Sequence, residues 1–310
     1  MSWDLLFQTA PSPLQELHDH EAEFLGIRIL VKRDDLLALF AMEEPYPAFC
    51  GNKWRKLKYN LQEARKIGKS GLLTFGGAYS NHIAAVAAAG RIFGFRTIGF
   101  IRGELHTPLN PTLAFATECG MELRYLDRTT FKELRENRWQ DPGLSFSDDF
   151  FLLPEGGTNE LALKGCMELG AELNTQTNAD IYCIPCGTGG TIAGLIAGLG
   201  GLRQVIGFPA LKSGAFLYRD IEITLEKYVP EVPPKFKLQT DYHFGGYARS
   251  NPLLFRFIHD FHVRHGILLD HVYTAKMFFG VFDLIQKRAF PAGTTICLIH
   301  TGGLQGSTPR

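Results

Sequence analysis

Neither sign of charge is in excess in this chain: lysine plus arginine and aspartate plus glutamate each number 32. Balanced charge provides no global field to gather nucleic acid or an anionic surface, so no nucleic-acid partner is expected. Long apolar runs are lacking as well. The stretch from Ile192 to Leu202 is apolar and glycine-rich but far too short to cross a bilayer, so no membrane association is expected. The first residues include acids and have no basic start followed by an apolar core. They do not read as a signal peptide, and a cytoplasmic location is expected. Cysteine is scarce, with six in 310 residues, which excludes a disulfide scaffold. Cys183 and Cys186 form a lone Cys-x-x-Cys with no second pair and no suitably spaced histidine. Without that second half, they read as buried strand residues rather than a redox or zinc site.

What is present is ordinary in composition and regular in order. Hydrophobic residues make up 45% and charged residues 21%, and the length suits one or two globular domains. Short apolar runs alternate with helical stretches. Strands are predicted at Leu72–Phe75, Thr97–Ile101, Glu122–Leu126, Phe151–Leu153, Asp180–Ile184, Gln204–Phe208 and Thr295–Ile299. Helices are predicted at His82–Ile92, Pro111–Glu118, Phe131–Trp139, Leu161–Leu173, Thr191–Leu199, Ala215–Tyr228 and Ala275–Arg288. Continuous apolar strands separated by helices indicate an α/β fold, with twisted, mostly parallel sheets flanked by helices. Proline and glycine breaks at Glu43–Pro47, Asp141–Ser145 and Pro154–Gly157 divide the chain. The expected partition is a smaller inserted α/β domain over 47–150 and a larger domain from 1–46 with 151–310.

Ligands of such sheets collect where strands give way to helices, and three phrases lie at or beside such places. In Gly51-Asn-Lys-Trp-Arg-Lys-Leu57, a turn presents Lys53, with Arg55 and Lys56 beside it. Desolvation or nearby cations turn a lysine into an imine-forming nucleophile; the plain alternative is a solvated basic helix face. In Gly76-Gly-Ala-Tyr-Ser-Asn-His82, Ser80 and Asn81 open an alanine-rich helix. They cap it, and the same helix end favours an anion such as a substrate carboxylate. His82 can bond locally or take part in proton transfer. The loop Gly187-Thr188-Gly189-Gly190-Thr191 follows a strand and opens a helix. Its glycines let backbone approach a phosphate, although any glycine cluster can also make a tight turn. It lacks the Gly-Lys-Ser/Thr of a nucleotide loop and the spacing of a dinucleotide fingerprint. An amine, groups for a carboxylate and a ring oxygen, and a phosphate cradle together suggest pyridoxal 5'-phosphate. His259, His262 and His265 recur every three residues and precess around a helix, so they read as a solvated face and not a metal site.

Taken together and in order, these phrases resemble the fold-type II pyridoxal-phosphate enzymes that group D-cysteine desulfhydrase with 1-aminocyclopropane-1-carboxylate deaminase. Lys32-Arg-Asp-Asp-Leu36, Pro154-Glu-Gly-Gly-Thr-Asn159, Asp270–Thr274 and His300-Thr-Gly-Gly303 belong to the likeness. The resemblance implies a tryptophan synthase beta-like fold, a homodimer and a small amino-acid substrate. It implies that Lys53 holds the cofactor, Asn81 bonds its phenolic oxygen, and Ser80 meets the substrate carboxylate. The Gly187–Thr191 backbone would grip the phosphate. Tyr247 and Tyr273 match two active-site tyrosines, and Ser80, Asn81, His82, Tyr247, Tyr273 and Thr274 would line the substrate. Deaminase-type members carry an acid after the second tyrosine and a leucine after the final histidine. This chain has Thr274 and Thr301 there. A hydroxyl at the ring nitrogen makes a weaker electron sink than a carboxylate, which suits loss of a thiolate. The resemblance therefore implies D-cysteine desulfhydrase, a carbon–sulfur lyase giving pyruvate, sulfide and ammonia, with the cyclopropane deaminase as the alternative. A non-catalytic binder of a phosphorylated metabolite is the reading from a different class. Two features depart from the family: Trp54 stands where a small polar residue is usual, and the chain stops at Arg310, soon after Gly303.

Overall fold

The computed structural model describes residues 7, 9–37, 48–137, 139 and 148–304. The expected breaks at Glu43–Pro47 and Asp141–Ser145, and the end of the chain at Arg310, lie outside the described residues.

The strands in chain order are β1 (Leu14–Leu17), β2 (Arg28–Lys32), β3 (Gly71–Gly77), β4 (Arg96–Arg102) and β5 (Met121–Leu126). There follow β6 (Phe150–Leu153), β7 (Ile181–Cys186), β8 (Gln204–Pro209), β9 (Phe236–Leu238) and β10 (Thr295–Ile299). The helices begin with α1 (His20–Phe24), α2 (Gly51–Lys66), α3 (Asn81–Phe93), α4 (Pro111–Glu118) and α5 (Arg128–Glu136). The rest are α6 (Glu160–Gln176), α7 (Gly190–Gly198), α8 (Leu217–Tyr228), α9 (Pro252–His265) and α10 (Thr274–Gln286). All seven predicted strands and all seven predicted helices are present, with ends shifted by a few residues. β1, β2 and β9 were not foreseen.

The chain forms two compact units, one of Met1–Asn52 with Cys166–Arg310 and the other of Lys53–Gly165. The sequence breaks had placed those boundaries near residues 46 and 150. In the first unit six strands run in the order β1-β2-β10-β7-β8-β9. Only β1 is antiparallel to its neighbour, and every other pairing is parallel. β7 is buried at every residue, as a strand covered on both faces must be. Cys183 and Cys186 lie within it, both buried and neither in a disulfide. Beneath the sheet, an apolar cluster joins β2, β7, β8 and β10 to α9 and α10. Lys32 is the buried exception on β2. Its ammonium donates to Glu172 Oε2, Gln176 Oε1 and the Ser12 carbonyl, each at 2.7 Å, so that charge is paired rather than stranded.

In the second unit four parallel strands run in the order β5-β4-β3-β6. α3 reads Asn-His-Ile-Ala-Ala-Val-Ala-Ala-Ala-Gly and is buried from His82 to Gly90. Small side chains let it lie close to the sheet: a Cβ at Gly90 would fall 2.3 Å from Thr97 Cγ2. Gly94 ends the helix in the left-handed conformation at φ 75°. Trp54, the family departure, is a core residue of this unit, 2% exposed. It stacks on Phe93 at 6.3 Å between ring centroids. On the far side of the sheet, Phe75, Phe100, Phe131 and Trp139 form an aromatic cluster.

Candidate active site

The first unit places four predicted features together. β7 runs into Gly187–Gly189, and α7 starts at Gly190. Gly189, in the left-handed region at φ 79°, occupies the cap position, and no side chain caps the helix. Such a helix start has backbone N–H groups and the positive end of its dipole to offer an anion. A Cβ at Gly187 would fall 3.2 Å from the ring of Tyr273, so the glycine lets that ring close on the loop. Tyr273 meets Tyr247 edge-on, with ring centroids 6.0 Å apart. At the inner end of the loop, the Thr191 hydroxyl accepts from the side-chain amide of Asn52 at 3.1 Å. Asn52 is the second residue of α2, and Lys53 is the next in the chain. Gly51, at φ 58°, permits this start, since a Cβ there would lie 2.4 Å from the Thr301 carbonyl. That same carbonyl accepts from the Asn52 amide at 3.3 Å.

Thr274 and Thr301 differ in what their hydroxyls do. Asp270 folds back over the start of α10. Its carboxylate accepts from the amides of Val272, Tyr273 and Thr274 at 2.8–2.9 Å. The Thr274 hydroxyl donates to Asp270 Oδ1 at 2.7 Å and accepts from the Asp270 amide at 2.9 Å. Thr274 thus holds the helix start that presents Tyr273, with its hydroxyl already engaged. The Thr301 hydroxyl has no partner among the described residues.

The second unit carries the amine and the capped helix. Ser80 Oγ accepts from the amides of His82 and Ile83 at 3.3 and 3.4 Å, which caps α3 as its sequence predicts. No described residue accepts the Ser80 hydroxyl hydrogen, so the cap leaves that hydrogen to give. The loop is tight before it: a Cβ at Gly76 would lie 2.8 Å from Ser80 Oγ. His82 is buried, and neither ring nitrogen has a hydrogen-bond partner among the described residues. Burial, helped by the charges of Lys53 and Lys56, holds its pKa well below the usual histidine value. The ring is therefore neutral at pH 7. Arg55 and Lys56 are 1% and 2% exposed, so this is no solvated basic face. Lys56 donates to the Gly156 carbonyl at 2.8 Å and to the Thr158 hydroxyl at 3.2 Å. It thereby ties down the loop whose Gly157 sits against the His82 ring, where a Cβ would lie 2.7 Å from Cε1.

The three histidines of α9 need one correction. His259 and His262 are exposed, but His265 is partly buried, with its ring 4.6 Å from that of Phe261. Burial lowers its pKa. Among the described residues no group of three His, Cys, Asp or Glu side chains is placed to hold a metal. None of the described helices is long and apolar enough to cross a membrane. Sequence reasoning missed Asp270 as a cap, Asn52 as the brace of Thr191, and Lys276. Lys276 had a readable signal: with Asp283 it is one of two charges inside the otherwise apolar run from Ala275 to Ile285.

The donor sets fit pyridoxal 5'-phosphate in kind: a glycine-lined, uncapped helix start for a dianion, a lysine amine, and orphaned polar atoms on a buried histidine. Comparison with known proteins points the same way. A protein-family model described as "Pyridoxal-phosphate dependent enzyme" matches residues 5–302. A Thermotoga maritima protein named "Putative 1-aminocyclopropane-1-carboxylate deaminase" is 31% identical over 318 residues, covering 96% of this chain and 95% of the relative. A solved structure described as an "ACC deaminase homologue" superposes with a TM-score of 0.77 at 26% identity, covering 97% of this chain and 92% of that one. A hydrogen sulfide-producing enzyme from Fusobacterium nucleatum has a TM-score of 0.65 at 17% identity, covering 97% of each chain, a likeness of fold alone.

Proposed function

The chain belongs to the pyridoxal-phosphate dependent enzymes, and from that premise we propose a deaminating lyase acting on a small amino acid. The observation that carries the proposal is the bare glycine start of α7, with Tyr273 closed against its loop. When bound, the cofactor withdraws electrons from the carbon that bears the amino group.

The chain's own residues divide the remaining tasks. Lys53 holds the cofactor through Nζ, the Gly187–Thr191 backbone takes the phosphate, and Asn81 meets the phenolic oxygen. Ser80 gives its free hydroxyl hydrogen to the substrate carboxylate. Lys53 Nζ and the Tyr273 phenol are the groups to move the substrate's α-proton, with Tyr247 packed beside the latter. Neutral His82 offers a buried acceptor without adding a second positive charge.

The names of the relatives favour the cyclopropane amino acid as substrate, ahead of the D-cysteine that the sequence put first. D-cysteine stays as a second reading because positions 274 and 301 carry hydroxyls. Of the two, Thr301 is the one whose hydroxyl has no partner among the described residues, while that of Thr274 is bonded to Asp270. Parallel assays on both substrates separate the readings: 2-oxobutanoate marks one and sulfide with pyruvate the other. Ammonia from neither would end the lyase proposal. Lys53→Ala is expected to abolish turnover and the borohydride-sensitive visible absorbance; a variant keeping both would remove Lys53 from its role.

A further inference from the structure

We propose that Lys276 is a positioning residue that fixes Tyr247, by holding the His243–Tyr247 turn through its backbone carbonyls. The inference rests on the reading above, in which Tyr247 serves the active site.

Lys276 lies one turn along α10 from Tyr273 and is 1% exposed. Its ammonium donates to the carbonyls of Gly246 at 2.7 Å, His243 at 2.9 Å and Ala210 at 3.5 Å. An ammonium has three hydrogens, and here each has a carbonyl oxygen. Two of those oxygens belong to the turn, and the third follows β8. Burial lowers its pKa to about 8, against the opposing pull of Asp270, so at neutral pH all three donors are present.

The turn is one that needs holding. Phe244 and Ala248 sit at φ 51° and 55°, and Gly245 and Gly246 at 93° and 118°. Side-chain-bearing residues rarely adopt such values, and they persist only where the surroundings impose them. Phe244 meets Phe279 edge-on at 5.0 Å, and the Tyr242 hydroxyl donates to Asp283 at 2.7 Å, both partners lying on α10. Those contacts anchor side chains flanking the turn. Lys276 instead anchors its backbone, at the residue directly before Tyr247. One helix thus sets both tyrosines: Tyr273 stands at its start, and Lys276 holds the main chain that presents Tyr247.

The test uses Lys276→Met, which keeps the stem and removes the donors, and Lys276→Gln, which restores an uncharged amide. Hydrogen exchange is followed at Gly246 and Arg249, whose amides bond within the turn, and at β7 and β8. kcat and KM are measured separately on the cofactor-loaded protein. In Lys276→Met the turn amides are expected to exchange about tenfold faster, with β7 and β8 unchanged. KM is expected to rise about tenfold with the cofactor absorbance retained, and Lys276→Gln to fall between. Parent-like exchange in the turn would overturn the proposal, as would faster exchange spread evenly through the sheet. Should Lys276→Met not fold, Lys276→Gln alone decides by the same two measures. A parent protein that takes up no cofactor would end the functional reading, and the exchange comparison would then decide the hold on the turn by itself.

Discussion

Helices α3 and α7 begin alike in topology and unlike in chemistry. Each follows an interior strand that is parallel to both of its neighbours, β3 or β7. Ser80 caps α3 with its hydroxyl oxygen, whereas α7 starts bare at Gly189. The serine engages two amides and leaves one hydrogen, enough for a single oxygen of a carboxylate. The bare start leaves the dipole and first-turn amides for a ligand with several oxygens and two charges. A third start, that of α10, is closed to anions, because the Asp270 carboxylate already fills it. Cap chemistry, more than placement after a strand, decides what such a turn can bind.

The largest effect should come from making α7 resemble α10. Gly189→Asp sets a carboxylate where the phosphate is assigned and forces a Cβ at φ 79°, 3.0 Å from Ile221 Cγ1. Cofactor affinity, titrated by visible absorbance, is expected to fall by more than about 100-fold. Gly189→Asn separates strain from charge, since asparagine tolerates this conformation, and should lose only about tenfold. A dissociation constant for the aspartate variant within about threefold of the parent would detach the phosphate from this loop.

The converse change, removing the acceptor from α10, should cost stability and spare the cofactor. Asp270→Ala orphans three amides in the interior and takes from the Thr274 hydroxyl its 2.7 Å acceptor. The loss should be about 3 kcal/mol, read from denaturant unfolding. Cofactor affinity should stay within about threefold of the parent, because no ligand oxygen is assigned to this helix start. A large drop in affinity with little loss of stability would reverse the assignments of α7 and α10.

How far these differences were readable varies by residue. Apolar runs with turn signals gave the strands around the site, because a strand buried on both faces has little choice of composition. β2 escaped notice because Arg28 and Lys32 flank its apolar centre, and only the fold shows Lys32 paired with Glu172. β1 and β9 are edge strands of four and three residues, too short for a period to register. The Ser80 cap and the glycine loop were visible as local chemistry, since their partners lie within a few residues. Thr274 reads in the sequence as a substrate-lining hydroxyl, and only the fold shows the Asp270 carboxylate folded onto that hydroxyl. Trp54 looked like a departure at the site; its stacking on Phe93 makes it core. What stayed hidden were partners distant in sequence, such as Lys276 with the carbonyls of His243 and Gly246.

The smallest expected effect tests whether Ser80 only caps. Ser80→Ala removes both the cap and the free hydroxyl, so stability should fall by about 1 kcal/mol. Ser80→Asp keeps a side-chain oxygen that caps about as well, leaving the unfolding midpoint within about 0.5 kcal/mol of the parent. It also places a negative charge where the substrate carboxylate is assigned. KM should therefore rise about tenfold while the cofactor absorbance and the midpoint hold. If capping were all that Ser80 does, the aspartate variant would behave as the parent in every measure and the alanine variant alone would suffer. A split between midpoint and KM in the aspartate variant would instead show that one oxygen serves the helix and one hydrogen serves a ligand, the distinction that separates α3 from α7.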